Sequence, residues 1–336
     1  MVGVGGFGGT RRREMRQSGL YRLAACHDVN RENALLCQKE DGAAIVENYE
    51  QLLDFPGLEA IIISTGAKFH AEQTIAAARR GLHVFVEKPL CSTPQEVTDM
   101  MRTWRETGVV IGVGHANHSA LAHSRTVKRM LDDGTIGTPA SFEATTAHSG
   151  GLIIKPGDWR GDPEKNPGGM LFQCGVHLLH ELMYYFGPVS RVFAQMRYDL
   201  HTTQTADIAN CIVTFASGLT GSLNAYHVTP YRHTLNIFGM RTNLYVNSHA
   251  PEGQRLLMQS LPPRLDGSVE PVVPVQLEAE MPLGNLRSFH QAVRKKTLPY
   301  PSILDGARAV GVVFAAEESA RLGKPVDVPR EWMYQD

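Results

Sequence analysis

The sequence predicts an α/β protein of two domains, with a parallel sheet flanked by helices in the first domain and a largely antiparallel sheet in the second. Three observations predict this fold class. Short apolar runs alternate with helix-like segments over the first third of the 336 residues, which is the pattern of βαβ units. A glycine-rich turn opens the chain. Beyond residue 115, most strand-like runs follow one another without helices between them, which favours antiparallel pairing.

The strands and helices of the first third are predicted from apolar runs and from helix end signals. The runs rich in β-forming residues cover residues 20–27, 60–65, 82–87 and 109–114. Between them, residues 70–82 and 93–108 have the composition of helices. The second of these has clear ends, because Thr93 is the predicted N-cap, Glu96 completes a capping box and Gly108 closes the helix.

The opening stretch GVGGFG contains Gly3, Gly5 and Gly8 in the spacing G-x-G-x-x-G, ahead of a predicted helix over residues 9–18. Glycines are needed in such a turn because its dihedral angles are unusual and its backbone must approach a pyrophosphate. The N-terminus of the following helix then stabilises the phosphate charge. Alone the motif is weak, but its position before a helix favours a dinucleotide site.

Asp28 strengthens that interpretation, because it ends the next apolar run twenty residues beyond Gly8. An acidic side chain at this place accepts hydrogen bonds from the adenosine ribose. Its charge repels a 2′-phosphate, so NAD is favoured over NADP, although Arg31 nearby leaves NADP open.

The first strand is the missing piece of this pattern, because only Met1 and Val2 precede the turn. We expect that the sequence lacks most of this strand. The alternative is that two residues suffice and a neighbouring strand takes the central place. The arginines at positions 11–13 are interpreted as a solvated helix face rather than as phosphate ligands.

The stretch VFVEKPL, residues 84–90, places Glu87 and Lys88 directly after an apolar strand, with no turn residue between. Parallel sheets bind ligands at the carboxyl ends of their strands. A lysine there can approach the nicotinamide end of a dinucleotide and favour alkoxide character on a substrate oxygen, and Pro89 fixes the turn that presents it. The alternative is a surface ion pair between the two neighbours.

The second part of the chain is predicted to form mainly strands, with Ser217–Gly218 as a hairpin turn and residues 251–282 as a long connection. Two terminal helices are expected at about 284–296 and 303–322. The strand-like runs cover residues 138–148, 190–200, 206–218, 219–229 and 232–247.

A helix running from Gly168–Gly169 to about Phe186 is predicted between the first two of these strands. One of its faces carries four polar side chains at i, i+4, i+7 and i+11, namely Gln173, His177, His180 and Tyr184. Polar groups aligned on a largely apolar helix indicate a surface that faces a ligand. The alternative is a set of core histidines whose hydrogen bonds are satisfied.

The composition excludes several classes of protein. The formal net charge is -1, so no basic excess indicates a nucleic-acid or acidic-membrane partner. No apolar run reaches the roughly 18 residues of a membrane span, and no signal-peptide pattern begins the chain. The five cysteines are scattered, without C-x-x-C spacing, which favours free thiols in a reducing compartment and a cytoplasmic location.

Four stretches together resemble the glucose–fructose oxidoreductase / inositol dehydrogenase (Gfo/Idh/MocA) family. They are GVGGFG, STGAKFHAEQTIAAARRGLHVFVEKPL, GGMLFQCGVHLLHELMYYFGP and DGARAVGVVFAAEESARLGKPVDV. The resemblance implies an N-terminal Rossmann domain with a doubly wound parallel sheet, residues 1–115, whose first strand is truncated here. It implies a C-terminal α/β domain, residues 116–336, with an open, mostly antiparallel sheet for substrate binding and oligomerisation.

The resemblance also implies an activity and a partner. Members oxidise or reduce a carbinol or carbonyl of a sugar, cyclitol or related polyol with NAD(P), and commonly form homodimers or homotetramers. Lys88 matches the active-site lysine of the family and His177 its catalytic histidine. Many relatives carry an aspartate where this chain has Gln173, which can orient a hydroxyl but cannot take up a proton. Gly66 replaces a usual proline.

The predicted site has three sets of residues. The catalytic set is Lys88, His177 and Gln173. The substrate-binding set is Asn117, Asp158, Gln173 and His180. The cofactor-binding set, in which His70 and Trp159–Arg160 come from the resemblance, is Gly3, Gly5, Gly6, Phe7, Gly8, Asp28, Val29, Ser64, Thr65, His70, Glu87, Lys88, Pro89, Trp159 and Arg160.

The preferred mechanism assigns acid/base work to His177, since an unperturbed pKa of about 6.5 suits proton transfer near neutrality. Two other functions stay open. One is a glycosidase or lyase that uses tightly bound NAD in a transient redox cycle, and the other is a sensor that binds dinucleotide or sugar without turnover. A metal held by His177 and His180 is disfavoured, because no HExxH motif or cysteine pair supports it.

Overall fold

The computed structural model describes residues 1–201, 203–247, 249–251, 253–262, 267–282 and 284–333. The chain divides into two compact units. The first unit comprises Met1–Asn117 and Leu283–Ala307, and the second comprises His118–Pro282 and Arg308–Asp336.

The helices and strands alternate regularly in the first unit and less so in the second. The helices are α1 (Gly6–Ser18), α2 (Arg31–Asp41), α3 (Tyr49–Leu53), α4 (Ala67–Arg79), α5 (Pro94–Thr107), α6 (Ala122–Asp132), α7 (Val176–Phe186), α8 (Asn285–Lys295), α9 (Ile303–Leu322) and α10 (Arg330–Met333). The strands are β1 (Ala25–Cys26), β2 (Ala44–Ile45), β3 (Ala60–Ile63), β4 (His83–Val86), β5 (Ile111–Val113), β6 (Pro139–Ala147), β7 (Val189–Arg197), β8 (Ile208–Phe215), β9 (Thr220–Tyr226), β10 (Arg232–Gly239), β11 (Thr242–Val246), β12 (Leu256–Ser260), β13 (Val273–Pro274) and β14 (Val326–Asp327).

The strands of the first unit are parallel, and Val2 joins them into one sheet. β1 pairs with β2, while β3, β4 and β5 pair in that order. Val2 bridges His27 on one side and Ile63 on the other, both in parallel. The strands lie in the order β2, β1, Val2, β3, β4, β5. If the Val2 segment is numbered as the first strand, this is the order 3-2-1-4-5-6 of doubly wound dinucleotide-binding sheets. Val2 itself therefore takes the central place, rather than a neighbouring strand.

The segment that contains α8 packs with the first unit, although the predicted boundaries, 1–115 and 116–336, placed it in the second domain. Phe289 lies in contact with Phe85 of β4, with ring centroids 5.8 Å apart. Asn285 donates from Nδ2 to the carbonyl of His115 at 2.5 Å. The sequence predicted a helix at about 284–296 but not the unit against which it packs, because a local pattern can show that a helix face is buried without showing what covers it.

The second unit is built on a nine-stranded sheet in the order β13-β12-β11-β10-β6-β9-β8-β7-β14. Neighbouring strands are antiparallel except β6 and β9, which are parallel. The predicted mostly antiparallel sheet is therefore confirmed. The predicted hairpin turn at Ser217–Gly218 is present as well. The amide of Phe215 donates a hydrogen bond to the carbonyl of Leu219 at 2.8 Å, and Gly218 has a φ of 90°.

Three predicted elements differ from the structure. The run 232–247 forms two strands, β10 and β11, and the predicted connection over 251–282 contains β12 and β13. The helix expected from residue 168 begins instead as a π-helical turn, Leu171–Gly175, which continues into α7. A π-turn follows no simple side-chain period, so the spacing of apolar residues did not reveal it.

None of the helices in the described part of the chain combines the length and the apolar character needed to cross a membrane.

We expect that Thr93→Ala lowers the free energy of unfolding of the first unit by about 1 kcal/mol. The capping box at α5 is complete, because Thr93 Oγ1 accepts from the Glu96 amide at 3.2 Å and the Glu96 carboxylate accepts from the Thr93 amide at 2.9 Å. Urea denaturation followed by circular dichroism measures the change. Thr98→Ala on the exposed surface of the same helix is the control, and an equal loss in both variants would contradict the role of the cap.

Candidate active site

The glycine-rich turn leaves no room for side chains at its three motif positions. A Cβ on Gly3, whose φ is +72°, would lie 2.6 Å from the carbonyl oxygen of Ser64. A Cβ on Gly5 would meet Asn33 Nδ2 at 2.2 Å, and one on Gly8 would meet the Gly3 carbonyl oxygen at 2.1 Å. These approaches explain why the sequence has G-x-G-x-x-G here. The backbone of the turn packs closely at the carboxyl edge of the sheet, beside the start of α1.

Asp28 lies against this turn. Its Oδ2 accepts hydrogen bonds from the amides of Val4 at 2.8 Å and Gly5 at 3.2 Å. Its Oδ1 accepts a hydrogen bond at 2.8 Å from the amide of Asn30, the N-cap residue of α2. Val29 beside it is 98% exposed. The carboxylate therefore links the turn to the end of β1, where an adenosine ribose binds in sheets of this kind.

The arginines that follow the turn are not the solvated face that was predicted. Arg11 and Arg12 are buried, while Arg13 is exposed. Arg11 Nε donates to Glu87 at 2.5 Å, and Arg12 Nε donates to Asp41 at 2.5 Å. The prediction was wrong because charge alone argued for solvent, whereas each of these guanidinium groups has a carboxylate partner distant in the sequence.

Glu87 is the buried partner of Arg11, with a side chain that is 7% exposed. The guanidinium of Arg11 lies 5.0 Å from the ring centroid of Phe7 and 5.1 Å from that of Phe85. Burial raises the pKa of Glu87, and Arg11 opposes this effect. The alternative for this stretch was a surface ion pair between Glu87 and Lys88. It does not hold for Glu87, because the carboxylate of that residue is buried and pairs with Arg11.

Lys88 is partly exposed at the end of β4, and His70 contacts the residue that follows it. His70 Nδ1 lies 2.8 Å from the carbonyl oxygen of Pro89, and its Nε2 lies 3.0 Å from the carbonyl oxygen of Thr65. The His70 side chain is buried. The ring thus joins two strand-end loops, and its place in the cofactor-binding set stays a prediction.

Only part of the polar face that was predicted on the helix ending at Phe186 is exposed. Gln173 and His177 are partly exposed, whereas His180 is buried. The His180 ring lies 5.2 Å from the ring of His118. The predicted substrate contact of His180 stays a prediction. Because Leu171–Gly175 is a π-helical turn, Gln173 and His177 are not related by the regular rotation of an α-helix.

The predicted loop residues form their own local cluster. The guanidinium of Arg160 lies over the ring of Trp159 at 5.0 Å and 3.2 Å from a carboxylate oxygen of Asp158. Trp159 and Arg160 are exposed and lie in the second unit. Asn117, predicted to bind substrate, is buried in the first unit, which leaves it little surface for that role.

Sequence reasoning missed a thiol–imidazole contact next to Gln173. The Sγ of Cys174 lies 3.7 Å from His148 Nε2, and His148 Nδ1 accepts from the amide of Gly150 at 2.9 Å. The ring of His227 lies 5.0 Å from that of His148. A usable signal was present, because His148 follows directly after β6 and His227 directly after β9.

A buried polar chain behind α7 was missed as well. Tyr185 donates to Glu181 at 2.9 Å and also hydrogen-bonds to Ser124, whose hydroxyl contacts His118 Nδ1 at 2.9 Å. Burial raises the pKa of Glu181 to about 7. The sequence offered one signal, which is a carboxylate within an otherwise apolar helix.

Among the described residues, no group of three or more histidine, cysteine or acidic side chains is arranged to hold a metal ion. Lys88 lies in the first unit and His177 in the second.

Comparisons with known proteins cover both units. Residues 1–115 match the family described as "Oxidoreductase family, NAD-binding Rossmann fold", and residues 124–245 match the "GFO/IDH/MocA C-terminal domain". These matches confirm the predicted Rossmann-type parallel sheet and the separate C-terminal α/β fold.

Two relatives that match most of the chain are a reductase and a dehydrogenase. The 1,5-anhydro-D-fructose reductase of Ensifer adhaerens is 27% identical, over 84% of this chain and 84% of the relative. The scyllo-inositol 2-dehydrogenase (NAD(+)) of Bacillus subtilis (strain 168) is 26% identical, over 85% and 83%. A solved structure of levoglucosan dehydrogenase with NADH and levoglucosan shares the fold, with a TM-score of 0.83 at 22% identity over 98% of each chain.

The ion pair at the end of β4 yields a stability prediction. Glu87→Gln leaves the buried guanidinium of Arg11 without its carboxylate, so we expect the free energy of unfolding to fall by about 3 kcal/mol. The matched control is Glu14→Gln. The side chain of Glu14 is 42% exposed, and its carboxylate is the second one that Arg11 contacts. That variant should lose less than about 1 kcal/mol. Urea denaturation measures both, and equal losses would show that burial of Glu87 is not what matters.

Proposed function

Because the chain belongs to the Gfo/Idh/MocA family of oxidoreductases, we propose that it transfers hydride between a nicotinamide cofactor and a carbinol or carbonyl carbon. The substrate class we propose is a sugar, a cyclitol or a related polyol. The family match makes the chain an oxidoreductase with an NAD-binding domain. The CH–OH group as donor and the residues that act on it are the parts that we propose here.

The observation that carries the proposal is the position of Lys88. It follows β4 at the carboxyl edge of the parallel sheet, the edge at which the glycine-rich turn lies. The residues before and after it, Glu87 and Pro89, are buried and held by side chains from α1 and α4. A cation is thus presented where sheets of this kind bind a dinucleotide.

The glycine-rich turn supports a dinucleotide site, because it has the G-x-G-x-x-G spacing and lies at the carboxyl edge of the parallel sheet. When bound, NAD supplies the carbon that exchanges hydride with the substrate. The Lys88 amine donates to the substrate oxygen and favours the negative charge that develops there. His177 takes the hydroxyl proton during oxidation and returns it during reduction. Gln173 orients a neighbouring hydroxyl.

NAD is the cofactor we propose in preference to NADP. Asp28 lies against the turn, where its carboxylate would repel a 2′-phosphate. Arg31, which is exposed at the start of α2, keeps use of NADP open. The relatives support a small polyol substrate, since one is named for scyllo-inositol and another for 1,5-anhydro-D-fructose. A homodimer or homotetramer remains our proposal for the assembly.

The reaction is tested by incubating the protein with NAD or NADP and a panel of sugars and cyclitols, while absorbance of the reduced nicotinamide is followed. We expect net NADH formation with at least one polyol and a preference for NAD of about tenfold or more in kcat/KM, which is ~1.4 kcal/mol.

Two results would overturn net hydride transfer. Product formed without accumulation of NADH would point to a transient redox cycle in a glycosidase or lyase. Tight NAD binding, measured by calorimetry, with no product from any polyol would point to a sensor.

The assigned roles are tested by substitution. Lys88→Met and His177→Ala should each lower kcat by about 10²- to 10⁴-fold, with NAD binding changed little, because both remove groups that act on the substrate oxygen. The control is Lys68→Met, which removes an exposed lysine on α4 of the same unit. Steady-state kinetics on the substrate found above measures the effect. Wild-type hydride transfer by His177→Ala would rule out its acid/base role.

A further inference from the structure

His70 connects two loops at the carboxyl edge of the parallel sheet. Thr65 follows β3 and Pro89 follows β4, and these strands are paired from Ala60–His83 to Ile63–Val86. The ring of His70, 1% exposed, lies between the carbonyl oxygens of the two loops, 2.8 Å from that of Pro89 and 3.0 Å from that of Thr65.

Both contacts of His70 are to hydrogen-bond acceptors, so the ring cannot satisfy them equally when neutral. Neutral imidazole carries one N–H, and its second nitrogen is an acceptor. Burial, together with the charge of Lys88, lowers the pKa of His70, so the neutral ring is the form that prevails near neutrality. One contact is then an N–H···O hydrogen bond, and the shorter of the two is at Nδ1.

We propose that His70 is a positioning residue for Lys88, acting through a hydrogen bond from its Nδ1–H to the carbonyl oxygen of Pro89. This inference rests on the proposed function, in which the Lys88 amine polarises the substrate oxygen. His70 does not touch the substrate in this scheme. It holds the carbonyl of Pro89, the residue that directly follows the lysine.

The geometry around Lys88 explains why such an anchor matters. A lysine side chain has four methylene groups and about 2 kcal/mol of rotamer entropy, so the position of the backbone that carries it contributes to where the amine lies. On the preceding side, Glu87 is held by Arg11. On the following side, Pro89 has no N–H, so the Lys88–Pro89 peptide unit has no donor through which a neighbour could hold it, and the nearest backbone group that His70 contacts is the Pro89 carbonyl. His70 holds it from α4.

Two substitutions separate the nitrogens of His70. The side-chain amide of asparagine can place an N–H where Nδ1 was, and that of glutamine can place one where Nε2 was. Both variants lose the ring and its packing, so they are matched in structural damage. We expect His70→Asn to keep kcat within about threefold of wild type, and His70→Gln to lower kcat by about 10- to 100-fold, the scale of a misplaced catalytic group. The KM for NAD should change little in either.

A double-mutant cycle tests whether His70 acts through Lys88. In the Lys88→Met background, His70→Gln should have no further effect on kcat, because the group that it positions is absent. Additive losses, a loss in His70→Asn with activity kept in His70→Gln, or equal losses in both would each overturn the proposal. Urea denaturation of all variants shows whether the two single variants are equally stable.

A measurement on the wild-type protein covers the case in which the variants do not fold. Neutron diffraction locates the ring proton, which we expect on Nδ1, and a proton on Nε2 alone would overturn the proposal. Failure of the proposed function is a separate outcome, because it would appear as absent hydride transfer by the wild-type protein with every polyol tested, whatever the state of His70.

Discussion

The buried ion pair between Arg11 and Glu87 connects two distant parts of the first unit. Arg11 belongs to α1, the helix that follows the glycine-rich turn, and Glu87 precedes Lys88 at the end of β4. Gly114 must lack a side chain for this pair to form, because a Cβ there would lie 2.4 Å from Glu87 Oε2. A charge pair of this kind is costly to desolvate, so it survives only with close geometry. The helix that follows the glycine-rich turn is thereby joined to the strand end that precedes Lys88.

The parts of the site that could be predicted are those governed by local rules. The glycines at positions 3, 5 and 8 and the capping box at Thr93 are recognisable, because a tight turn and a helix start each demand particular residues at fixed spacing. Asp28 follows from the distance along the chain to the next strand end. Lys88 could be identified because a charged residue directly after a buried strand of a parallel sheet lies at the edge where such sheets bind their ligands.

The parts that could not be predicted depend on contacts between residues distant in sequence. The burial of Arg11 and Arg12 required knowledge of their carboxylate partners, which lie 76 and 29 residues away. The packing of His180 beside His118 likewise required the fold. In each case the residue type was correctly noticed, but hydrogen bonding and packing partners are set by the tertiary fold rather than by periodicity.

The return of residues 283–307 to the first unit has a consequence for biosynthesis. During translation, the five strands β1–β5 have all been made at residue 113, but Phe289, which covers Phe85, is added 176 residues later. Until then an apolar surface stays uncovered on the nascent chain, and domains generally fold as whole units. A ribosome that stalls within the second unit would therefore release a fragment that exposes this surface and is prone to aggregation.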